Sequence, residues 1–205
     1  MIPALLFRVV PEHTTEEAEH WWKEAVALHP RWRAVTYRDP LDPAQFPVTS
    51  PHWAACTSGA QLAGLVRLEA LSQHGGVYLD SDVEVYRPLD VLLHLPGFAA
   101  YEDANVIPDA VLGFTPGHPA VKLCLHTALD RLVHGGTDWR TGTGAWGTGP
   151  GVTTTVLRDR GDVLLLPPGS FYPYHYSEKH RAGEDHRAAQ PWSFGAHHWK
   201  ASWVS

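Results

Sequence analysis

The stretch Gly75-Gly76-Val77-Tyr78-Leu79-Asp80-Ser81-Asp82-Val83 constrains this chain more than any other. A glycine pair ends a helical pattern and leads into a short apolar run, which delivers two carboxylates. Successive side chains of a strand point to opposite faces, so Tyr78, Asp80 and Asp82 fall on one side. Val77, Leu79 and Val83 then face the other way, into packed protein. Two carboxylates at the carboxyl end of a buried strand repel each other, and a bound divalent cation relieves that repulsion. Hard oxygen ligands of this kind suit Mg²⁺ or Mn²⁺ held jointly by protein and substrate phosphates. A bare Asp-x-Asp is more often only a polar turn. Here the order of helix, glycine stop, apolar strand and acidic pair matches the ligand sites at strand ends in open α/β sheets.

The rest of the chain reads as strands alternating with helices. Ile2 to Val10 is apolar and rich in β-formers, a first strand that Pro11 ends. Thr14-Thr15-Glu16-Glu17 has capping-box spacing, and Ala18, Trp21, Trp22, Ala25 and Val26 recur at helical intervals until Pro30. Aromatic residues at that spacing are core packing before they are a ligand platform. Trp32 to Tyr37 predicts a second strand, and the Pro- and Asp-rich stretch from Arg38 to Trp53 an irregular connection. A helix over Ser58 to Gln73 carries Arg67 and stops at His74-Gly75-Gly76. Beyond the acidic pair, Val83 to Tyr86 continues as strand and Pro88 opens a short helix. Strands over Phe98 to Tyr101 and Val111 to Phe114 flank a polar loop that holds Asp109, and a helix follows through Leu132. Gly142 to Gly151 is glycine-rich, yet it lacks the Gly-Lys-Ser/Thr ending of a P-loop. Val163 to Leu166 is a last strand, and Phe171 to Tyr176 an aromatic cluster.

With 205 residues, 44% of them hydrophobic and 19% charged, the chain is long enough for one α/β domain and short for two, so a single domain over residues 1–205 is expected. A net charge of −6 argues against broad attraction to nucleic acid or anionic lipid. No apolar run reaches the length of a membrane span, and Met1-Ile2-Pro3 reads as the start of a strand and not a signal peptide. The expected location is cytoplasmic. Cys56 and Cys124 sit in apolar surroundings and are expected to be reduced core residues. Fourteen histidines are unusual for this length, but those near the C-terminus lack a recognised zinc-ligand spacing.

Three further features fall in order around the acidic pair. Arg67 lies thirteen residues before Asp80, Thr148-Gly149-Pro150 follows in the C-terminal half, and His197-His198-Trp199-Lys200-Ala201-Ser202-Trp203 closes the chain. With Gly75 to Asp82 they resemble the GGxYxDxD, TGP and terminal HxWxxSW motifs of the family 32 glycosyltransferases, which include yeast-type initiating mannosyltransferases and are related to the glucosylating domains of large bacterial toxins. The resemblance implies a glycosyltransferase-A type α/β fold with a mixed, mostly parallel Rossmann-like sheet flanked by helices. Residues 1–90 would form the nucleotide-sugar half and residues 91–205 the acceptor half with a closing C-terminal segment. It further implies a retaining, metal-dependent transfer of a sugar from a nucleoside diphosphate sugar to a hydroxyl of a glycan, small molecule or protein.

On that resemblance the site residues are assigned as follows. Asp82 is the main ligand of Mn²⁺ or Mg²⁺, Asp80 contacts ribose or sugar hydroxyls and the metal shell, and Arg67 reaches sugar or phosphate. His197 is the preferred metal or diphosphate contact from the terminal motif, with His198 in reserve. Phe7, Arg8 and Val9 at the end of the first strand, with Tyr78, Ser81, Thr148, Gly149, Ser202 and Trp203, are expected around the donor. Two positions depart from the family pattern. Gly64 stands where an acidic residue is usual, three before the arginine, and Asp109 stands near the reacting sugar where asparagine is usual. These departures keep open a protein that binds nucleotide sugars or glycans with weakened activity. A metal-dependent hydrolase using the histidine-rich tail is a third reading.

Overall fold

The computed structural model describes residues 1–200 except 139, 183, 188 and 189. Strand β1 (Leu5–Val10) is followed by helix α1 (Glu16–Leu28) and strand β2 (Arg33–Arg38). Two 3-10 turns lead to helix α2 (Gly59–His74), strand β3 (Gly76–Leu79) and strand β4 (Val83–Val85). After a third 3-10 turn at Asp90–His94 come β5 (Gly97–Ala100), β6 (Val111–Phe114) and helix α3 (Pro119–His134). Helices α4 (Ala145–Thr148) and α5 (Pro150–Leu157), strand β7 (Leu164–Leu166) and strand β8 (Gly195–His197) complete the order.

Six strands form one sheet in the order β2-β1-β3-β6-β5-β7. Pairings of β1 with β2 and β3, and of β5 with β7, are parallel; β6 alone runs against its neighbours. This is the mixed, mostly parallel sheet that the resemblance implied. One face carries Phe7, Val9 and Tyr78 under α2, α3 and α5. The other carries Leu6, Val77 and Leu79 with Ala25 of α1, Val83 and Val85 of β4, and Phe171 and Tyr172. The alternation along β3 thus holds as read from the sequence.

Local chemistry explains where α2 and β3 meet. Ser58 caps α2 by accepting the Gln61 amide at 3.3 Å, and the Gly75 amide returns to Leu71 O at 2.9 Å. Gly75 and Gly76 both take positive φ, and a Cβ would lie 2.6 Å from Phe114 O at the first and 2.7 Å from Leu5 O at the second. Only glycine lets the chain leave a buried helix and enter the sheet centre in two residues.

Three sequence expectations change. β4 does not continue β3; it leaves the main sheet and pairs antiparallel with β8, Val83 opposite His197. The stretch after the glycine-rich segment, unassigned in the sequence, is helical, since Pro150 opens the eight-residue helix α5, whose apolar pattern is too short to read as periodic. Cys124 is buried as expected, whereas Cys56 is only half-buried.

Candidate functional site

The site forms where β3 ends. The Asp80 amide donates to Ala110 O at 2.8 Å, the last tie to β6, and Val83 N then bonds Asp80 O at 3.1 Å to close a tight turn. That turn places Asp80 and Asp82 side by side although β3 itself stops at Leu79. Tyr78 and Asp80 share a face, as strand alternation requires, and the Tyr78 hydroxyl donates to Asp80 Oδ1. Asp82 reaches the same place by the turn and not by strand register.

Arg67 of α2 comes up beneath this turn. Its guanidinium lies 3.1 Å from Asp80 Oδ1, 3.0 Å from Asp109 Oδ2 and 2.6 Å from Asp109 O, and rests 4.4 Å over the Tyr78 ring. Burial alone would lower its pKa, but the charges of Asp109 and Asp80 outweigh that and raise it, so Arg67 stays charged. It is a buried fork tying together the acidic turn of β3 and the loop that holds Asp109. A Cβ on Gly64, one turn before Arg67, would sit 4.0 Å from Asp109 Oδ2, and one on Gly149 would sit 3.0 Å from the same oxygen. The two departures from the family pattern therefore meet at one spot: the Asp109 carboxylate lies beside the position whose side chain is missing.

The β4–β8 ladder brings the terminal motif to the acidic pair. His197 Nε2 lies 3.1 Å from Asp82 Oδ1 and 3.9 Å from Asp80 Oδ2, while Lys200 N donates to Asp82 Oδ2 at 2.7 Å. Trp199 makes this possible. Its backbone takes φ 55°, a left-handed conformation that costs a non-glycine residue about 1–3 kcal/mol and turns the chain back so that Lys200 N faces Asp82. Its ring packs 4.1 Å from His197 and 5.8 Å from Tyr172. Burial alone would raise the Asp82 carboxyl, but the charge and hydrogen bond of His197 and the Lys200 amide pull it down to about 2. Burial raises Asp80, helped by the charge of Asp82 and opposed by Arg67. Desolvation lowers His197, yet Asp82 and Asp80 together raise it.

Asp80, Asp82 and His197 each offer one ligand atom, all within 4.8 Å of one another. Two carboxylates and an imidazole make a donor set that fits Mn²⁺ well and Mg²⁺ less well. The His197 Nδ1 atom is buried without a hydrogen-bond partner, so the ring is aimed by packing and by its Nε2 contacts.

Other expected site residues sit elsewhere. His198 does not join the cluster: its Nε2 lies 3.0 Å from Glu84 Oε2, its Nδ1 3.3 Å from the Tyr174 hydroxyl, and its ring stacks on Trp21 at 4.4 Å. Adjacent strand residues point to opposite faces, so His197 and His198 cannot both face Asp82. Phe7 and Val9 are enclosed in the core beneath α2, Phe7 against Tyr78 at 5.4 Å. Arg8 is buried against α1, 2.7 Å from Glu19 Oε2 and 4.7 Å over Trp22, so its side chain serves the interior. Ser81 is buried within the acidic turn. The Thr148 hydroxyl donates to Gly144 O at 3.1 Å, and Gly149 backs onto Asp109. Ser202 and Trp203 lie outside the described residues. The aromatic cluster read over Phe171 to Tyr176 places Tyr172 edge-on to His197 at 5.7 Å, and sequence reading missed Glu102, whose charge reaches His197. It also missed the Lys200 amide; backbone groups leave no trace in a motif.

Residues 15–98 match the family described as "Glycosyltransferase sugar-binding region containing DXD motif". That stretch is under half of the chain, and it carries the similarity to the DXD-containing glycosyltransferases. The chain is 33% identical over 113 residues to "Inositol phosphoceramide mannosyltransferase 3" of Schizosaccharomyces pombe, covering 52% of this chain and 32% of that protein. It is 26% identical over 196 residues to "Mannosyl phosphorylinositol ceramide synthase SUR1" of Saccharomyces cerevisiae, covering 85% of this chain and 50% of that one. The chain thus spans between a third and a half of the length of these relatives. Among solved structures, a glycosyltransferase involved in the glycosylation of the major capsid of PBCV-1 superposes with a TM-score of 0.53 at 13% identity, over 98% of this chain and 96% of that chain. The superposition carries the fold. Among the described residues, no helix is long and apolar enough to cross a membrane.

Proposed function

We propose that this chain is a catalytic domain that transfers a sugar from a nucleoside diphosphate sugar to a hydroxyl acceptor, with a divalent cation and with retention at the anomeric carbon. The observation that carries the reading is the junction of Asp80, Asp82 and His197 within 4.8 Å at the end of a central strand, with Arg67 directly below. Residues 1–90 would bind the donor and residues 91–205 the acceptor. The names of the yeast relatives favour mannose as the sugar.

Asp80, Asp82 and His197 would hold the cation, which when bound stabilises the charge that grows on the departing diphosphate. Arg67 stays charged next to Asp80 and keeps that carboxylate oriented. In the transfer, the acceptor oxygen bonds to the anomeric carbon while the bond from that carbon to the phosphate oxygen breaks. The bonding pair leaves with the diphosphate, and the hydroxyl proton passes to the departing phosphate oxygen on the same face. No protein nucleophile is required. Asp109 takes the part of a carboxylate next to sugar hydroxyls that the family places at the position of Gly64, and the nearness of the two positions supports activity over a binding-only protein.

The test is donor turnover. Wild-type protein with Mn²⁺ and a panel of UDP- and GDP-sugars is expected to show metal-dependent donor binding and transfer, and Asp82→Asn to lose both while keeping the wild-type circular dichroism. Undiminished Mn²⁺ dependence in Asp82→Asn would sink the assignment of the metal site, and rapid hydrolysis indifferent to any acceptor would favour the hydrolase.

A further inference from the structure

Imidazoles that ligate metals almost always donate their second ring N–H to a carboxylate, a carbonyl or water, which fixes the tautomer and aims the ligating nitrogen. His197 departs from that rule. Its Nε2 faces Asp82 Oδ1 at 3.1 Å and Asp80 Oδ2 at 3.9 Å, so Nε2 is the atom that would hold the cation and Nδ1 the atom that would carry the proton. Nδ1 is buried, and among the described residues it has no hydrogen-bond partner. The charge of Glu102 reaches His197, but its Oε1 accepts the Tyr176 amide at 2.7 Å and lies 3.5 Å from His175 Nε2.

Aromatic rings close on the imidazole instead. The Trp199 ring lies 4.1 Å from it at an interplanar angle of 61°, and the Tyr172 ring 5.7 Å away at 90°. Tyr172 and Trp199 also meet each other, 5.8 Å apart at 31°, so the two walls are joined. Both are anchored away from His197. Tyr172 is buried in the core cluster of Leu79, Val83 and Val111, and the His197 amide donates to Phe171 O at 2.8 Å, which fixes the residue before it. Trp199 Nε1 donates to Tyr174 O at 3.4 Å, and its ring meets Tyr176 at 5.5 Å. The Tyr172 hydroxyl is buried without a partner, so what Tyr172 offers His197 is its ring.

We propose that Tyr172 and Trp199 are positioning residues: their rings hold the His197 imidazole with Nε2 on the acidic pair, in the part usually played by a hydrogen-bonded carboxylate. The inference rests on the metal-dependent reading given above. An aromatic face carries partial negative charge and accepts an edge-on N–H or C–H, which favours an upright imidazole. That attraction is weak, and the walls act mainly by excluding other rotamers, since a ring enclosed in close-packed neighbours cannot turn without displacing them. An imidazole free to turn would spend part of its time with Nε2 away from Asp82, and metal affinity would fall by that fraction.

Mn²⁺ affinity is the test, read from the paramagnetic resonance signal of free Mn²⁺ with the ion alone and with UDP or GDP added, while circular dichroism in urea reports the fold. Wild-type protein is expected to bind Mn²⁺, and His197→Ala to bind it about ten-fold more weakly. Tyr172→Leu removes a wall and is expected to weaken binding by about five-fold or more. Tyr172→Phe keeps the wall and is expected to bind as the wild type does, with an equal or higher urea midpoint because it drops an unpartnered hydroxyl. In the His197→Ala background, Tyr172→Leu is expected to leave Mn²⁺ affinity unchanged, because a residue that acts through His197 then has nothing to act on. If Tyr172→Leu does not fold, Trp199→Leu, at a half-buried position, takes its place in the same cycle. Undiminished affinity in the leucine variant, an equal loss in both backgrounds, or a Tyr172→Phe protein as weak as the leucine variant would overturn the inference while leaving the metal site standing. If wild-type protein takes up no Mn²⁺ under any of these conditions, the metal reading falls and the inference falls with it.

Discussion

Arg67→Lys tests the frame of the site most directly. The guanidinium makes three polar contacts within 3.1 Å, to Asp80 Oδ1, Asp109 Oδ2 and Asp109 O, and covers the Tyr78 ring. An ammonium is a point charge that can keep one of these contacts in good geometry but not a fork to two loops. Hydrogen bonds involving charged groups contribute about 1.5–3 kcal/mol each, and removing one partner of a buried pair outright costs about 3–5 kcal/mol. Lysine retains the charge and loses the fork, so about 2–3 kcal/mol of destabilisation is expected, against about 3–5 for Arg67→Met, which leaves the buried Asp109 carboxylate and the half-buried Asp80 carboxylate without their cation. For a chain of this size the lysine loss corresponds to about 5–10 °C in Tm. Urea unfolding followed by circular dichroism gives the stabilities, and calorimetric titration of donor with Mn²⁺ gives the binding, which should weaken in Arg67→Lys even below the unfolding range. An Arg67→Met protein as stable as the wild type, with undiminished donor affinity, would refute the reasoning: Arg67 would then neither hold the acidic turn nor shape the donor site.

Three other outcomes are expected. Burial alone would raise the Glu19 carboxyl, but hydrogen bonds from Thr14, Arg8 and Arg38 pull it down to about 2, so its stabilising effect is complete above the ordinary carboxylate range and lost as pH falls toward 2. Discounted for partial exposure of Glu19, about 1–2 kcal/mol should disappear over that window in urea titrations, and Glu19→Gln, less stable at neutral pH, should show a flatter acid limb; parallel limbs would remove Glu19 from the account. Donor with Mn²⁺ should slow hydrogen exchange at the amides of residues 196–200, and His197→Ala should cut transfer. Equal exchange with and without donor, together with normal transfer by His197→Ala, would make the segment purely structural. Gly64→Asp should lose donor affinity by setting a second carboxylate against Asp109, and Asp109→Asn by removing the first. The double variant should recover, with a coupling of about 1–2 kcal/mol in a double-mutant cycle, and strict additivity would mean the two positions do not exchange roles.

The alternation of Tyr78 and Asp80 against Val77 and Leu79, the glycine pair that stops α2, and the placing of Arg67 one helix ahead of the acidic turn were legible in the sequence. They depend on local periodicity and on backbone conformations open only to glycine, both of which act between neighbours in the chain. Tertiary structure decided the rest. That β4 leaves the sheet to pair with β8 follows from a contact across more than a hundred residues, and it alone aims His197 at Asp82 and sends His198 to Glu84. The burial of Arg8 against Glu19 and Trp22 is likewise set by how α1 packs on the sheet, which no single segment encodes. The meeting of Gly64 of α2 with Asp109 depends on a loop, between β5 and β6, whose residues carry no periodic signal. Such pairings are fixed when separate hydrophobic faces are buried together, so chain order shows which groups are available and only packing shows which of them meet.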